Sequence, residues 1–146
     1  VRERGIKDAN NMGAAMAPAA ARTIIDFLRD TNSRPEDFDM ILTGDLGVVG
    51  SQLLLELLQK DENVDISPVH ADCGLMLYDL DEQDVHAGAS GCGCSGSVVC
   101  SYIVRRLKAG ELNKVLFVGT GALMSPVSSL QGESIPSIAH GVLLTH

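Results

Sequence analysis

Residues 86–101, HAGASGCGCSGSVVCS, place one histidine and three cysteines among closely spaced glycines and serines. Several chemistries compete for such a run. Gly91-Cys92-Gly93-Cys94-Ser95-Gly96 matches the G-x-G-x-x-G spacing, but a dinucleotide fingerprint follows a buried hydrophobic strand, and the preceding DEQDVHAGAS is polar. A structural zinc site takes four soft ligands at familiar spacings. Here Cys92 and Cys94 are C-x-C, Cys100 lies six residues on, Cys73 is distant, and no C-x-x-C pair exists, although His86 stands near enough in sequence to join. A nucleophilic thiol at a helix N-terminus is physically reasonable, since the dipole and free N–H groups lower a thiol pKa. Cys92 or Cys94 would stand there, with His86 as candidate base. Small thiols in a tightly packed glycine turn are the simpler reading. What survives is a glycine-rich turn opening a helix, whose unpaired N–H groups suit a carboxylate or phosphate.

The elements around this turn follow from periodicity. Residues 13–30, GAAMAPAAARTIIDFLRD, repeat apolar positions at Ala17, Ala20, Ala21, Ile24, Ile25 and Leu28, which predicts a helix with an Ala-rich face in close contact with a neighbour. Pro18 is expected near its start, where a missing N–H costs least. Phe38 to Thr43 reads as a short buried strand. Gly44, Gly47 and Gly50 turn the chain into a second helix over Val48 to Lys60, with Leu53, Leu54, Leu57 and Leu58 facing inward. Val64 to Asp84 has no clean period, and Asp79, Asp81, Glu82 and Asp84 suggest a solvated loop. A third helix is expected over Ser97 to Ala109, with Val98, Val99, Tyr102, Ile103 and Leu107 inward and Gly110 ending it. Val115 to Gly121 is an unbroken apolar run, as in a parallel strand covered on both faces. Ser125 to Ser137 reads as a polar loop, and His140 to His146 as a closing strand. The order α-β-α-loop-α-β-loop-β indicates α/β layering.

The 146 residues suit one domain, and their hydrophobic share of 45% supplies a core, but aromatics are only 3%, so that core must be aliphatic and closely packed. A net charge of −8 argues against a general nucleic-acid surface. No apolar run approaches the roughly 20 residues of a membrane-spanning helix, and the charged start, VRERGIKDAN, is unlike a signal peptide. With no export signal, the four cysteines are expected as reduced thiols. The first residue is Val rather than Met, which hints at a fragment, a processed form or an incompletely represented protein.

Longer stretches carry a resemblance. GIKDANNMGAAMAPAAARTI, ILTGDLG, ADCGLMLYD, QDVHAGASGCGCS and VLFVGTGALMSPVSSLQGESIPSIAHGV, spread over Gly5 to Val142, are similar to the C-terminal half of the stage V sporulation protein AD family. The resemblance implies a thiolase-like fold, in which two α/β halves pack about a pseudo-twofold. Residues 1–146 would then be a single domain, the C-terminal half, a mixed sheet with helices packed on it, with the N-terminal half absent. Gly88-Ala89-Ser90-Gly91 resembles the second part of the thiolase G-H-P-x-G-A-S-G connection, whereas His86 is displaced and no Pro follows it. The thiolase C-x-G-G-G loop would fall near Thr120-Gly121-Ala122, where no cysteine stands. Acyl transfer needs a nucleophile within reach of an aligned base. The resemblance therefore implies a binding protein on a retired enzyme scaffold, with no catalytic residue, metal or cofactor.

It further implies a role in spore formation and germination: binding dipicolinic acid and supporting uptake of calcium dipicolinate, with membrane proteins of the same operon. The location would be peripheral, on the cytoplasmic side of the forespore or spore inner membrane. Asp72, Cys73, His86, Ser90 and Gly91 match the thiolase crevice and are the candidate ligand-binding residues. Asp72 would repel a bare dianion, so calcium or a backbone N–H is its expected partner. An acyltransferase using Cys73, Cys92 or Cys94 is the competing reading, and a metal-binding module a third. A half unit exposes apolar surface, so self-association, as a homodimer in which a second copy replaces the missing half, is expected.

Overall fold

Three- and four-residue apolar spacing at the N-terminal end of the chain builds α1 (Met12–Asp30), whose Ala17, Ala20, Ile24, Ile25 and Leu28 are buried as the periodicity requires. Asn11 caps it, its side chain accepting from the Ala14 N–H at 3.3 Å. Pro18 lies inside the helix rather than in its first turn, so α1 forgoes one internal hydrogen bond. The chain then runs through β1 (Met40–Thr43), α2 (Gly47–Glu62), β2 (His70–Asp72), α3 (Cys73–Met76), α4 (Cys94–Val98), a π-helical turn (Val99–Ile103), α5 (Val104–Lys108), β3 (Lys114–Ala122), α6 (Pro126–Leu130) and β4 (Ser137–Thr145). This computed structural model describes residues 1–8, 11–88 and 91–146, with the backbone alone at 128 and 129.

The four strands form one mixed sheet in the order β2-β1-β3-β4. β1 runs parallel to both β2 and β3, and β4 returns antiparallel to β3. Alternation divides the side chains between two faces. Ile41, Leu116 and Val118 meet Ile24 and Leu28 of α1 and Leu54 and Leu58 of α2. Leu42 and Val115 meet Cys94, Val98, Ile103 and Leu107 on the other side. The α/β class is as expected, with helices on both faces of the sheet. The α1–α2 contact is backbone-close: a Cβ on Gly50 would lie 2.8 Å from the Gly13 Cα.

Further expectations change. The segment without period holds β2 and α3, both too short to show one, while Asp79, Asp81, Glu82 and Asp84 are exposed as anticipated. The third helix starts at Cys94, three residues early, and buries Cys94, Val98, Ile103 and Leu107 at spacings of four, five and four. The step of five absorbs the π turn, rotating Tyr102 outward to 39% exposure, where Arg106 lies 4.5 Å over its ring. The loop after β3 contains α6, and β4 starts at Ser137 rather than His140.

Candidate functional site

The parallel strands β1, β2 and β3 end on the same side of the sheet, and two carboxylates sit at those ends. Asp72 closes β2 and is 2% exposed. Its Oδ1 accepts from the Thr43 hydroxyl at 2.6 Å and the Leu46 N–H at 2.9 Å, and its Oδ2 accepts from the Gly47 and Gly74 N–H groups, both at 3.0 Å. One side chain thus caps α3 and fixes the turn into α2. Thr43 donates its only proton to Asp72, which leaves the His70 Nε2, 3.0 Å from the same oxygen, as donor to it. Desolvation lowers the His70 pKa, and the Asp72 charge opposes that shift.

Asp45 stands at the rim, half-buried, just beyond β1. Its Oδ1 accepts from the Thr120 hydroxyl at 2.7 Å, and its own N–H donates to the Thr120 Oγ1 at 3.1 Å. Its Oδ2 accepts from the Gly91 N–H at 3.1 Å. The carboxylate therefore joins the end of β1, the end of β3 and the glycine turn ahead of α4.

These groups border a cleft of about 300 Å³ lined by Met12, Met16, Asp45, Gly91, Cys92, Ser95, Thr120, Gly121 and Ala122. Crevices outside the carboxyl ends of parallel strands are where open α/β sheets bind ligands, and this volume reaches the lower end of small-molecule sites. Asp45 is the charged side chain among the lining residues. The walls are otherwise thioether, thiol, hydroxyl and backbone.

The sequence candidates separate in space. Gly91 lines the cleft, but its N–H is already given to Asp45. Asp72 and Cys73 are buried, outside the cleft lining. Of the two kinds of partner expected for Asp72, calcium or a backbone N–H, it has three backbone N–H groups. Burial first, and then the nearby Asp72, Cys94 and Asp45, push the Cys73 thiol up to about 12. Burial, followed by Asp45 and Asp72, also raises the Cys94 pKa, and the Cys94 thiol points to the Gly44 carbonyl at 3.7 Å. Both thiols are therefore neutral near pH 7 and are not poised nucleophiles. His86 has a positive φ of 52° and points to solvent, 3.6 Å from the Asp84 carboxylate. It does not line the cleft. Ser90 and Ala89 lie outside the described residues. All four cysteines are free thiols, with Cys92 and Cys100 exposed. Among the described residues no group of three or more His, Cys, Asp and Glu is placed to hold a metal ion, and no helix is long and apolar enough to cross a membrane.

Asp45, Met12, Met16 and Ser95 were not singled out by residue type. The available signal was positional: Gly44-Asp45 directly follows a buried strand, the point at which a parallel strand delivers residues to the crevice. Thr120, Gly121 and Ala122 do line the cleft, at the place where the resemblance put the thiolase cysteine loop.

Comparison with known proteins places this sequence among relatives. A family model described as Stage V sporulation protein AD matches residues 1–145. Stage V sporulation protein AD of Bacillus subtilis (strain 168) is 49% identical over 143 residues, covering 98% of this chain and 42% of the relative. The chain thus spans less than half the length of that protein.

Proposed function

The chain belongs to the stage V sporulation protein AD family, and from that membership we propose that it serves sporulation as a non-catalytic binding protein for dipicolinic acid, supporting uptake of calcium dipicolinate into the developing spore. The observation that carries this reading is the cleft at the ends of β1 and β3. It offers the Ser95 hydroxyl and the Cys92 thiol for a small polar ligand, with apolar contacts from Met12 and Met16. Its charged residue is an acid, so calcium arriving with the dianion offsets the repulsion that Asp45 would exert. Calorimetric titration of dipicolinate into this chain and into the longer protein, with and without calcium, tests the reading. Saturable one-to-one binding that benzoate does not reproduce is expected, and no heat with either protein would refute it.

The proposed scaffold is one half of a thiolase-like unit. The antiparallel edge strand β4 and the exposed Leu123, Val127, Leu130 and Val142 support a further surface that pairs with another half or with a second copy. Membrane proteins of the same operon would hold the complex at the spore inner membrane. A solution mass above that of one chain is the expected outcome, and a strict monomer at high concentration counts against the homodimer.

The exposure of Cys92 inside the cleft favours a second reading, an acyltransferase with that thiol as nucleophile. Incubation with acetyl-CoA followed by peptide mass spectrometry separates the two: a thioester on Cys92 selects the enzyme.

A further inference from the structure

We propose that Asp45 and Thr120 form a clasp that positions the glycine turn against the strand ends and thereby sets the width of the cleft. The Asp45–Thr120 contact is reciprocal: the hydroxyl donates to the carboxylate at 2.7 Å, and the Asp45 N–H donates back to the hydroxyl oxygen at 3.1 Å. The second carboxylate oxygen reaches across to the Gly91 N–H at 3.1 Å. A Cβ at Gly91, Gly93 or Gly96 would meet nothing within 4 Å, so these glycines are open where their side chains would lie. The upstream part of the loop has its own tie, the Val48 N–H to the Ala87 carbonyl at 2.9 Å. Downstream, the Asp45 carboxylate holds Gly91 and the buried Cys94 thiol meets the Gly44 carbonyl at 3.7 Å. Gly91, Cys92 and Thr120 to Ala122 all line the cleft, so the clasp ties two parts of its lining together. It also ranks the donors. A ligand carboxylate competing for the Gly91 N–H must displace Asp45, whereas a ligand meeting Ser95 and Cys92 leaves the clasp closed. Asp45 and Thr120 are thus positioning residues, and only the ligand-dependent part of this inference rests on the dipicolinate reading.

The chain carries its own probe. Cys92 lines the cleft and is exposed, Cys100 is exposed outside the cleft lining, and Cys73 and Cys94 are buried. Iodoacetamide labelling read by peptide mass spectrometry reports the Cys92-to-Cys100 rate ratio, with Cys73 and Cys94 reporting whether the protein stays folded. Thr120→Val removes the hydroxyl at nearly constant volume, Thr120→Ser restores it, and Asp45→Asn removes the charge. Thr120→Val and Asp45→Asn are expected to raise the ratio about tenfold, the value of one charge-assisted hydrogen bond, with Cys73 and Cys94 still protected and Thr120→Ser close to the parent. Dipicolinate affinity, read by calorimetry, is expected to fall about tenfold in Thr120→Val and to return in Thr120→Ser. An unchanged ratio in both Thr120→Val and Asp45→Asn overturns the clasp. So does a ratio that rises only together with labelling of Cys73 and Cys94, which would mark general unfolding. If the parent chain binds no dipicolinate, the functional reading falls while the labelling ratio still decides the clasp.

Discussion

Asp72 and Asp45 are the same residue type at the ends of neighbouring strands, and the structure uses them in opposite ways. Asp72 is sealed beneath the site, with both oxygens filled by one hydroxyl and three backbone N–H groups. Asp45 is half-open, with one hydroxyl and one backbone N–H. A buried carboxylate persists only if its lone pairs are satisfied, so Asp72 has little capacity left for a ligand. A carboxylate at a cleft rim exchanges partners with water or a guest at small cost. Saturation and burial, more than residue type, separate the sealed structural acid from the one that lines the cleft.

The sharpest way to break this comparison is to delete each acid in turn. Asp72→Ala leaves three N–H groups and the Thr43 hydroxyl buried without their acceptor, and is expected to cost about 3–5 kcal/mol in urea unfolding. Asp45→Ala exposes its former donors to water and is expected to cost about 1 kcal/mol. If Asp45→Ala proved as damaging as Asp72→Ala, the rim would be structural too, and the division of labour would fail.

Two glycines extend the contrast at smaller scale. Gly47 lies in the turn that Asp72 fixes, with φ +66° and a would-be Cβ 2.6 Å from the Ala87 carbonyl oxygen. That neighbour is backbone and cannot swing aside. Gly91, bonded to Asp45, has φ +118° with open space around its would-be Cβ. Gly47→Ala therefore combines dihedral strain with a clash and is expected to cost about 3 kcal/mol, whereas Gly91→Ala carries strain alone, about 1–2 kcal/mol. Thermal midpoints of the two variants check the order. Equal losses would show the rim to be as tightly packed as the base.

How much of this was legible beforehand depends on what fixes each element. α1 and α2 were readable because their periods report burial directly, and β3 because an unbroken apolar run marks a strand covered on both faces. β2 and α3, of three and four residues, are too short to carry a period; β2 is held by pairing with β1 and α3 is capped by Asp72. The π turn was hidden because the apolar pattern of Val98, Val99, Tyr102, Ile103 and Leu107 also fits an uninterrupted helix, and only packing selects the step of five. Of the site, Gly91 was legible as a turn residue. Asp72 was legible as an acid needing calcium or a backbone N–H as partner; the burial that gives it N–H partners and keeps it out of the cleft was not. Asp45 and Thr120 are 75 positions apart, and their pairing depends on β1 lying beside β3, a long-range choice that no local pattern records. His86 looked like a base because it is close to the cysteines in sequence, yet its backbone turns its ring to solvent.

The smallest expected effect tests whether the sealed region behaves as one unit with its histidine. His70 adjoins the Thr43–Asp72 pair, and desolvation depresses its pKa below the ordinary 6.5, against a weaker opposing pull from the Asp72 charge. In the unfolded chain the imidazole takes up a proton near pH 6.5, whereas in the folded protein it resists doing so until lower pH. Between the two values the unfolded state binds more protons, so stability rises with pH there and is lost as pH falls below about 6.5. Asp39, exposed and accepting from the Asn113 and Lys114 N–H groups, has its pKa lowered from 3.8, so its contribution fades only in a separate, more acidic window. Urea midpoints measured from pH 7.5 down to pH 5 should therefore decline in the parent and flatten in His70→Gln, which keeps an N–H donor for Thr43 but takes up no proton. Asp45→Asn should leave the decline in place, because the Asp45 carboxylate is hydrogen-bonded to Thr120 and Gly91 rather than to the His70 pair. If Asp45→Asn removed the decline instead, rim and base would be a single electrostatic unit and the separation of the two acids would not hold.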